Sequence, residues 1–500
     1  MLQNISRRTL IGSAALSLAA GAIAPASAAK KTRDDADLIV CGAGMAGLTA
    51  ALTAASRGLK VIVIEKRLWT GGDGVLSTGH FATFRTPLHK DLPQSLPLSA
   101  EDYWRLIERG VIDEPLSKVR DNQMNSPVYY GVAKHNPEVL KSCAMRAADV
   151  IAFVRKQGAE FFPVNPALPF LLSSRPGSMT KIASTLVTKL RAAGVRLMNR
   201  TRVTGLVIEK GAVRGVRFAG KGGTQGTLRA RAVLLATGGF INSPELMQRY
   251  KRYWSSAKRG FSFEGDLPAD HTGDGILMGK AAGAALEDME SVPKFWAGPV
   301  KGTPAVSWLM LDGATAYLVR KSGRRFINEK SARYSGCALR LFAIGSEPGY
   351  MLFDEETFRG HYHDELEFEK ALAEGGLFKS DTAEELARKA GVDATGLKET
   401  IARINADAAG SGKDSEYGRT DKFFRPLKAP YYLSAAHYPL AFKTEGGLEV
   451  NTHMQVLSAS TDKPIPGLYA AGAACGSVTT RLCDVFASGL IAGESIASGH

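Results

Sequence analysis

Cysteine is scarce, five residues in 500, too few for a disulfide scaffold. Cys41, Cys143, Cys337, Cys475 and Cys483 show no C-x-x-C spacing, and no C-x-x-C-H run for haem attachment occurs. Cys475 and Cys483 are near enough in sequence to pair, although the total is odd. The apolar run at residues 11–23 is too short and weak to span a membrane. Zinc-finger, basic-zipper and RNA-recognition signatures are absent, so the excess of 63 Lys+Arg over 49 Asp+Glu, a net +14, is not read as a nucleic-acid footprint. It suits an anionic substrate or an acidic redox partner. No internal repeat or low-complexity tract stands outside the first thirty residues. With 45% hydrophobic and 22% charged residues, the chain has the make-up of a folded soluble protein.

Glycine is plentiful: 53 residues against a usual share of roughly 7%, which points to tight turns and close backbone approaches. At about 150 residues per domain, the length implies two or three domains.

Residues 1–29 carry a basic start, Ser6-Arg7-Arg8-Thr9-Leu10, an Ala/Leu-rich run, and Ala26-Ser27-Ala28. This is the layout of a secretory signal with an A-x-A cleavage site. The adjacent arginines resemble a twin-arginine signal, a route that carries folded proteins and suits an enzyme that loads its cofactor in the cytoplasm. The expectation is a periplasmic protein with residues 1–29 removed. An ordinary secretory signal or an uncleaved anchor is the alternative.

Asp37-Leu38-Ile39-Val40-Cys41 reads as a buried parallel strand. Gly42-Ala43-Gly44-Met45-Ala46-Gly47 follows, then an Ala/Leu-rich helix to Ser56, a break at Arg57-Gly58, and a second strand, Lys60-Val61-Ile62-Val63-Ile64, ending at Glu65. Strand, glycine turn, helix and strand ending in an acid form the dinucleotide fingerprint. Gly42 permits the turn, Gly44 lets a pyrophosphate approach the helix N-terminus, Gly47 allows close helix–strand packing, and Glu65 binds ribose hydroxyls. The charge of Glu65 would repel a 2′-phosphate and argues against NADP. Gly71-Gly72-Asp73 and Ser77-Thr78-Gly79-His80 supply a second small-residue stretch, as the longer FAD requires. Residues 232–239 and 467–472 are further strands ending in glycine turns, so the FAD domain is discontinuous in sequence.

Amphipathic helices are expected at residues 137–157 and 180–193, and a hairpin-like stretch at 202–231 with turns near Lys210-Gly211 and residues 220–223. After Glu290 the composition shifts. A strand–turn–strand pattern around Lys321-Ser322-Gly323, helices at 383–390 and 397–408, and a polar loop at 410–418 read as an inserted α+β domain. The expected architecture is α/β: a Rossmann-like two-dinucleotide-fold FAD domain over 36–290 and 439–500, with a capping domain at 291–438.

From about Asp37 to the C-terminus the chain resembles the fumarate reductase and succinate dehydrogenase flavoprotein family, in its single-chain branch with soluble fumarate reductases, urocanate reductase and 3-ketosteroid 1-dehydrogenases. The resemblance rests on residues 42–47 with Glu65-Lys66, Ala236-Thr237-Gly238-Gly239-Phe240, Thr272-Gly273-Asp274-Gly275, Ala281-Ala282-Gly283-Ala284 and Arg325-Phe326-Ile327-Asn328-Glu329. It continues through Glu384-Glu385-Leu386-Ala387, Gly391-Val392-Asp393, Tyr417-Gly418-Arg419, Thr444-Glu445-Gly446-Gly447, residues 466–472 and Ile491-Ala492-Gly493. It implies a cap that closes over the flavin and supplies substrate-binding residues. It also implies a cofactor site formed by Gly42, Gly44, Met45, Ala46, Gly47, Glu65, Lys66, Gly71, Gly72, Asp73, Ser77, Thr78, Gly79, Val203, Ala236, Thr237, Gly238, Asp274, Gly447 and Gly472. The histidine that attaches flavin covalently in multisubunit members belongs near Asp73, where this chain has none, so FAD is expected to be non-covalent.

The family's catalytic arginine, five residues after the Asn of Phe-x-Asn-Glu, corresponds to Arg333. The steroid dehydrogenases look to have a tyrosine there, and Tyr334 falls one residue late. Dicarboxylate-binding groups are mostly missing: Lys294-Phe295-Trp296 stands where the family has His-Pro-Thr, and Lys443 replaces the His before Thr-x-Gly-Gly. Arg481-Leu482 resembles Asn-Arg-Leu-Gly-Gly at the end of a shorter loop. These departures argue against fumarate itself. His80 takes the place of the second glycine of a Gly-Gly pair and is either a substrate-pocket residue or a packing residue. Phe295, Trp296, Trp308, Tyr431 and Tyr432 either line a larger pocket or belong to the cap core.

The expected activity is hydride transfer between flavin N5 and a carbon–carbon bond beside a carbonyl or carboxylate, in the direction that reduces an α,β-unsaturated acid. Arg333 protonates or relays a proton, Lys443 and Arg481 hold the anionic end, and His80 completes the catalytic set. With no haem motif and no second nucleotide fingerprint, electrons come from an external partner, a c-type cytochrome or a quinone-linked protein. The alternatives are a dehydrogenase of a ketosteroid-like substrate and a non-catalytic flavoprotein electron carrier.

Overall fold

The computed structural model describes residues 36–77, 79–89, 99–107, 136–163, 171–174, 177–250, 271–290, 294–299, 315–330, 337, 340–341, 347–361, 365–478 and 481–499. All belong to the compact unit that begins at Ala36. The signal read at 1–29, Thr78, Trp308, Arg333 and Tyr334 lie outside the described residues.

The first strand, Ala36–Cys41, is apolar except for Asp37 because parallel neighbours flank it on both sides: Val61–Ile64 and Gln225–Leu235. Across the sheet the order is Gln455–Leu457, Pro464–Ala470, Gln225–Leu235, Ala36–Cys41, Val61–Ile64 and Arg196–Met198. The strand Gln225–Leu235 has two halves. Its first residues alternate between solvent and core while pairing antiparallel with Ala212–Ala219, which pairs in turn with Arg202–Glu209. Its last four are all buried in the parallel sheet. The hairpin and the buried strand expected from the sequence are therefore one continuous element.

The helix Met45–Ala55 lies beneath the C-terminal helix Leu482–Ser498, and the crossing depends on small residues. A Cβ on Gly489 would fall 2.5 Å from the Ala46 carbonyl oxygen, and one on Gly493 2.7 Å from that of Ala50. The helix expected at 137–157 is two helices, Pro137–Met145 and Ala147–Lys156, broken at Arg146. There the guanidinium reaches Asp149 at 2.6 Å and Glu494 of the C-terminal helix at 2.7 and 3.1 Å.

The cap sheet runs Lys294–Pro299, His437–Lys443, Gly349–Asp354, Tyr431–Ser434 and Leu377–Ser380, with Tyr317–Arg320 also paired to Gly349–Asp354. In this sheet His437–Lys443 pairs along its length with Lys294–Pro299. Helices Ala383–Ala390 and Ala394–Ala409 bury Leu386, Leu397, Ile401 and Ile404 against Tyr317, Val319 and Leu433. Tyr432 is a core residue, stacked on Phe353 and Phe358. All five cysteines are buried and none is in a disulfide, so Cys475 and Cys483 do not pair.

A buried charge network ties two of the sequence motifs together. Arg325 donates to Glu329 at 2.8 and 3.1 Å and to Asp414 at 2.8 Å. Arg419 donates to Glu329 at 3.3 Å and to the Ala316 carbonyl at 2.8 Å. The Leu318 amide donates to Glu329, and the Tyr417 hydroxyl to the Arg325 carbonyl. The Arg325, Arg419, Glu329 and Asp414 side chains are each 1% exposed, so loss of one partner strands a buried charge. Glu329→Ala is expected to destabilise the cap by about 3–5 kcal/mol, read as an earlier denaturant transition by circular dichroism. An unchanged transition would mean that the network does not hold the cap.

Candidate functional site

The site is built on the ends of the parallel strands. Gly42, at φ +106°, turns the chain so tightly that a Cβ there would lie 2.3 Å from the Ala236 carbonyl oxygen. The Gly42 amide donates to the Ile64 carbonyl and the Ala236 amide to that of Cys41, both at 2.8 Å. A Cβ on Gly47 would fall 2.0 Å from the Gly42 carbonyl oxygen, so Gly47 closes the helix onto the turn as well as onto Val40. The helix Met45–Ala55 begins at Gly44 with no acid in its first turn and no side-chain cap. The second glycine loop lies against it: Gly44 bridges to Gly71, the Gly71 amide donates to the Ala43 carbonyl at 2.7 Å, and a Cβ on Gly72 would sit 3.0 Å from the Gly44 Cα.

This arrangement fits a dinucleotide. An uncapped helix N-terminus, approached by backbone from two loops, is suited to a pyrophosphate. Met45 and Ala46 follow Gly44 in that first turn, and Gly472 packs its Cα side toward the Ala46 Cβ while donating its amide to Ser488 at 3.0 Å. Glu65 is buried at the end of the second strand. Its Oε2 accepts from the Ala43 amide at 2.7 Å and its Oε1 from the Arg67 amide at 2.8 Å. Burial pushes its carboxyl pKa upward, against those two amides and the nearby cations.

Other expected cofactor residues serve to join the loops. Lys66 donates to Thr272 at 3.1 Å and lies 3.5 Å from Asp274. Arg202 forks onto Asp274 at 2.7 and 3.2 Å, next to Val203, which is buried in the core. Burial opposes the charge of Asp274, but Arg202, Thr272 and Lys66 outweigh it and hold the carboxyl below its usual range. Thr237 accepts from the Gly275 amide at 3.0 Å. Thr444 Oγ1 accepts from the Phe240 amide at 3.0 Å, beyond Gly238 and Gly239, and Gly447 packs on the Ala474 carbonyl. Ser77 donates to the Gly74 carbonyl at 2.8 Å, and the Gly79 carbonyl accepts from the Ser174 amide at 2.9 Å. The glycine turns after Cys41, Leu235 and Ala470 lie at the same end of the parallel sheet, and the Gly71-Gly72 loop packs on the first of them.

Asp73 occupies the second loop and meets a residue the sequence reading did not single out. His271 Nε2 lies 2.8 and 2.7 Å from its two oxygens, and Arg67 is 3.9 Å away. Burial raises the Asp73 pKa, but His271, Lys443 and Arg67 outweigh that and hold the carboxyl below its usual range. His271 is 7% exposed with φ +59°, and its ring edge faces Gly238. His80 lies on the strand His80–Ala82, and its buried Nδ1 has no hydrogen-bond partner among the described residues. Burial pushes its imidazole pKa down, which keeps the ring neutral at neutral pH. Lys443 ends the cap strand His437–Lys443, within the electrostatic reach of Asp73. Arg481 precedes the C-terminal helix and donates from Nε to Asp484 at 3.0 Å. The partnerships of Asp73 with His271 and of Arg481 with Asp484 were both missed by sequence reading.

The family model described as FAD binding domain matches residues 37–483. The chain belongs to this FAD binding domain family. It is 27% identical over 486 residues to the fumarate reductase (cytochrome) of Shewanella frigidimarina, covering 94% of this chain and 79% of that protein. It is 27% identical over 526 residues to the NADH:acrylate oxidoreductase of Vibrio harveyi, covering 94% of this chain and 51% of that one, so it spans about half that relative's length. Among solved structures, the open conformation of a flavocytochrome c3 fumarate reductase superposes with a TM-score of 0.72 at 25% identity, covering 94% of this chain and 79% of that chain. The resemblance read from the motifs stands, with FAD as the cofactor of an oxidoreductase.

Two predictions follow from this geometry. Gly47→Ala forces the first helix off the FAD turn and is expected to weaken FAD binding at least tenfold, about 1.4 kcal/mol, read from flavin content and calorimetric titration. Unchanged FAD affinity would show that the turn tolerates the extra methyl. For Asp73, a folded pKa below 3.8 means that its stabilisation is complete above that unfolded value and is lost as pH falls through the folded one. Asp73→Asn is expected to lower the thermal midpoint at pH 7, with the gap to the parent closing in acid. A pH-independent gap would refute this.

Proposed function

We propose that this flavoprotein reduces the carbon–carbon double bond of an α,β-unsaturated acid other than fumarate. The observation that carries this reading is Lys443. It ends a cap strand immediately before Thr444, which is bonded to the Phe240 amide, and its charge acts on Asp73 in the second glycine loop. A cap cation beside the flavin loop suits a carboxylate held against the cofactor.

Bound FAD supplies hydride chemistry at N5. The chain contributes binding, orientation and charge. Lys443 holds the substrate carboxylate, and a cation there also stabilises the negative charge that develops when the double bond accepts hydride. Arg333 is the proposed proton source for the α-carbon. A guanidinium is a weak acid, with a pKa above about 12, so it acts as a relay that other groups replenish. The segment leading to it starts from fixed points: Glu329 sits in the buried network, and Asn328 donates to the Tyr417 carbonyl at 3.1 Å. The cap excludes water from the reaction. The export signal at residues 1–29, a periplasmic location, non-covalent attachment of FAD and an external electron donor of the cytochrome or quinone-linked type complete the proposal.

The test is to reduce the flavin anaerobically and follow its reoxidation against a panel of α,β-unsaturated acids. Rapid reoxidation by an acid other than fumarate is expected. No response to any acid, with bleaching of the oxidised flavin by 3-ketosteroids, would replace the reading with a dehydrogenase. Arg333→Ala is expected to lower kcat at least 100-fold, about 2.7 kcal/mol. Lys443→Ala is expected to act mainly on KM, raising it roughly tenfold or more.

A further inference from the structure

We infer that Asp73 and His271 form a clasp across the bound FAD, and that opening of this clasp sets the rate at which the cofactor enters and leaves. The inference needs only the FAD cofactor and holds whatever the substrate is.

Three parallel strands stand side by side in the order Gln225–Leu235, Ala36–Cys41, Val61–Ile64, so the turn after Cys41 lies between the segments that follow the other two. Contacts at the turn agree. On one flank a Cβ at Gly42 would meet the Ala236 carbonyl oxygen at 2.3 Å, and on the other the Gly71 amide donates to the Ala43 carbonyl at 2.7 Å. His271 belongs to the first flank. Its carbonyl accepts from the Asn242 amide and the Gly273 amide donates to the Gly239 carbonyl, both at 3.1 Å, while its Cδ2 lies 3.5 Å from where a Gly238 Cβ would be. Asp73 belongs to the second flank, directly after Gly72, whose Cβ would sit 3.0 Å from the Gly44 Cα.

The two outer strands are about 10 Å apart, two strand spacings, and the two side chains span that gap. His271 Nε2 lies 2.8 and 2.7 Å from the Asp73 oxygens. A carboxylate only accepts, so Nε2 carries the proton and donates it. The Lys66 ammonium makes a second tie between the same flanks, donating to Thr272 at 3.1 Å. Both ties run from side chain to side chain, whereas each flank is fastened to its own neighbours by backbone. The flanks can therefore part without either losing those backbone bonds. Between them lies the N-terminus of the helix Met45–Ala55, which favours a pyrophosphate, and a dinucleotide lies in the crevice beyond such strand ends. An extended FAD threaded between the flanks cannot pass while they are tied. His271 is 7% exposed and its backbone is held at φ +59°, a region that L residues avoid and that ligand clamps retain.

The test follows exchange of bound FAD for isotopically labelled FAD on the holoenzyme, which gives the release rate, together with a dilution series that gives the Kd. His271→Gly removes the imidazole at a backbone angle that glycine adopts freely. It is expected to release FAD at least tenfold faster, about 1.4 kcal/mol of barrier, with the Kd rising by less than the release rate, because a clasp slows entry and exit alike. Asp73→Asn is expected to act in the same direction. The double variant is expected to release FAD no more than about twofold faster than His271→Gly, since both changes remove one contact. An unchanged release rate in His271→Gly overturns the inference, even with a lowered thermal midpoint, which would mark the pair as purely structural. A Kd that rises in step with the release rate also overturns it, because His271 would then be part of the binding surface and not a gate. So does a double variant in which the two effects multiply. Should the variants not retain flavin, hydrogen–deuterium exchange of the parent holoenzyme decides. The amides of residues 71–74 and 271–275 are expected to open together, no more slowly than FAD exchanges, and opening of the two segments independently of each other overturns the inference.

Discussion

The structure depends on one contact that only backbone can make. The turn after the first strand must fit between the ends of two other strands while the first helix closes onto it from above, and the Gly42 carbonyl leaves no room for a methyl at Gly47. From that packing comes a helix N-terminus with no side-chain cap and no acid in its first turn, at the strand ends where doubly wound sheets bind their ligands. The second glycine loop can lie on the first because neither presents a side chain at the crossing. On the far side of the same helix, Gly489 and Gly493 let the C-terminal helix approach as closely. That second close packing brings Arg481 and Asp484 toward the strand following the flavin loop. The cofactor cradle and the seating of the C-terminal helix are thus consequences of one helix held by glycines on two sides.

The cap is organised by charge. Burying Arg325, Arg419, Glu329 and Asp414 together carries a desolvation cost that a hydrophobic core would avoid. What the network provides is register. Each guanidinium must find its own acid, so the strand Tyr317–Arg320, the segment 325–330 and the loop around Tyr417 can meet in one alignment and not in one shifted along the chain. An apolar contact would tolerate such a shift.

The parts of this picture legible in the sequence were those governed by neighbours along the chain. The fingerprint from Asp37 to Glu65, the hairpin turn at Lys210-Gly211 and the helices read at 383–390 and 397–408 follow from local periodicity and turn chemistry, although the second helix starts earlier, at Ala394, behind its Asp393 cap. Thr382, for example, accepts from the Glu385 amide, and Asp393 from that of Gly396. What stayed hidden depends on partners far away in sequence. The helix break at Arg146 is tied to Glu494, 348 residues on. Asp73 meets His271 across 198 residues, and nothing local marks His271 as a residue with positive φ. Lys66 and Asp274, both read as cofactor residues, also lie 3.5 Å from each other, a contact the motifs do not record.

The same distinction governs how the charge of this protein is read. A net +14 suggests a cationic active site only if the surplus is concentrated there. Many of the described arginines and lysines are instead paired with acids: Arg202 with Asp274, Arg146 with Glu494, Arg425 with Asp354, Arg481 with Asp484. Exposed surplus charge acts through a screening length of about 8 Å at physiological ionic strength and governs encounter with a charged partner more than recognition inside a closed cap. Inside, the field is set by which individual acids are buried beside which cations. The local pairing of charges at the strand ends therefore matters more to a buried site than the composition of the chain does.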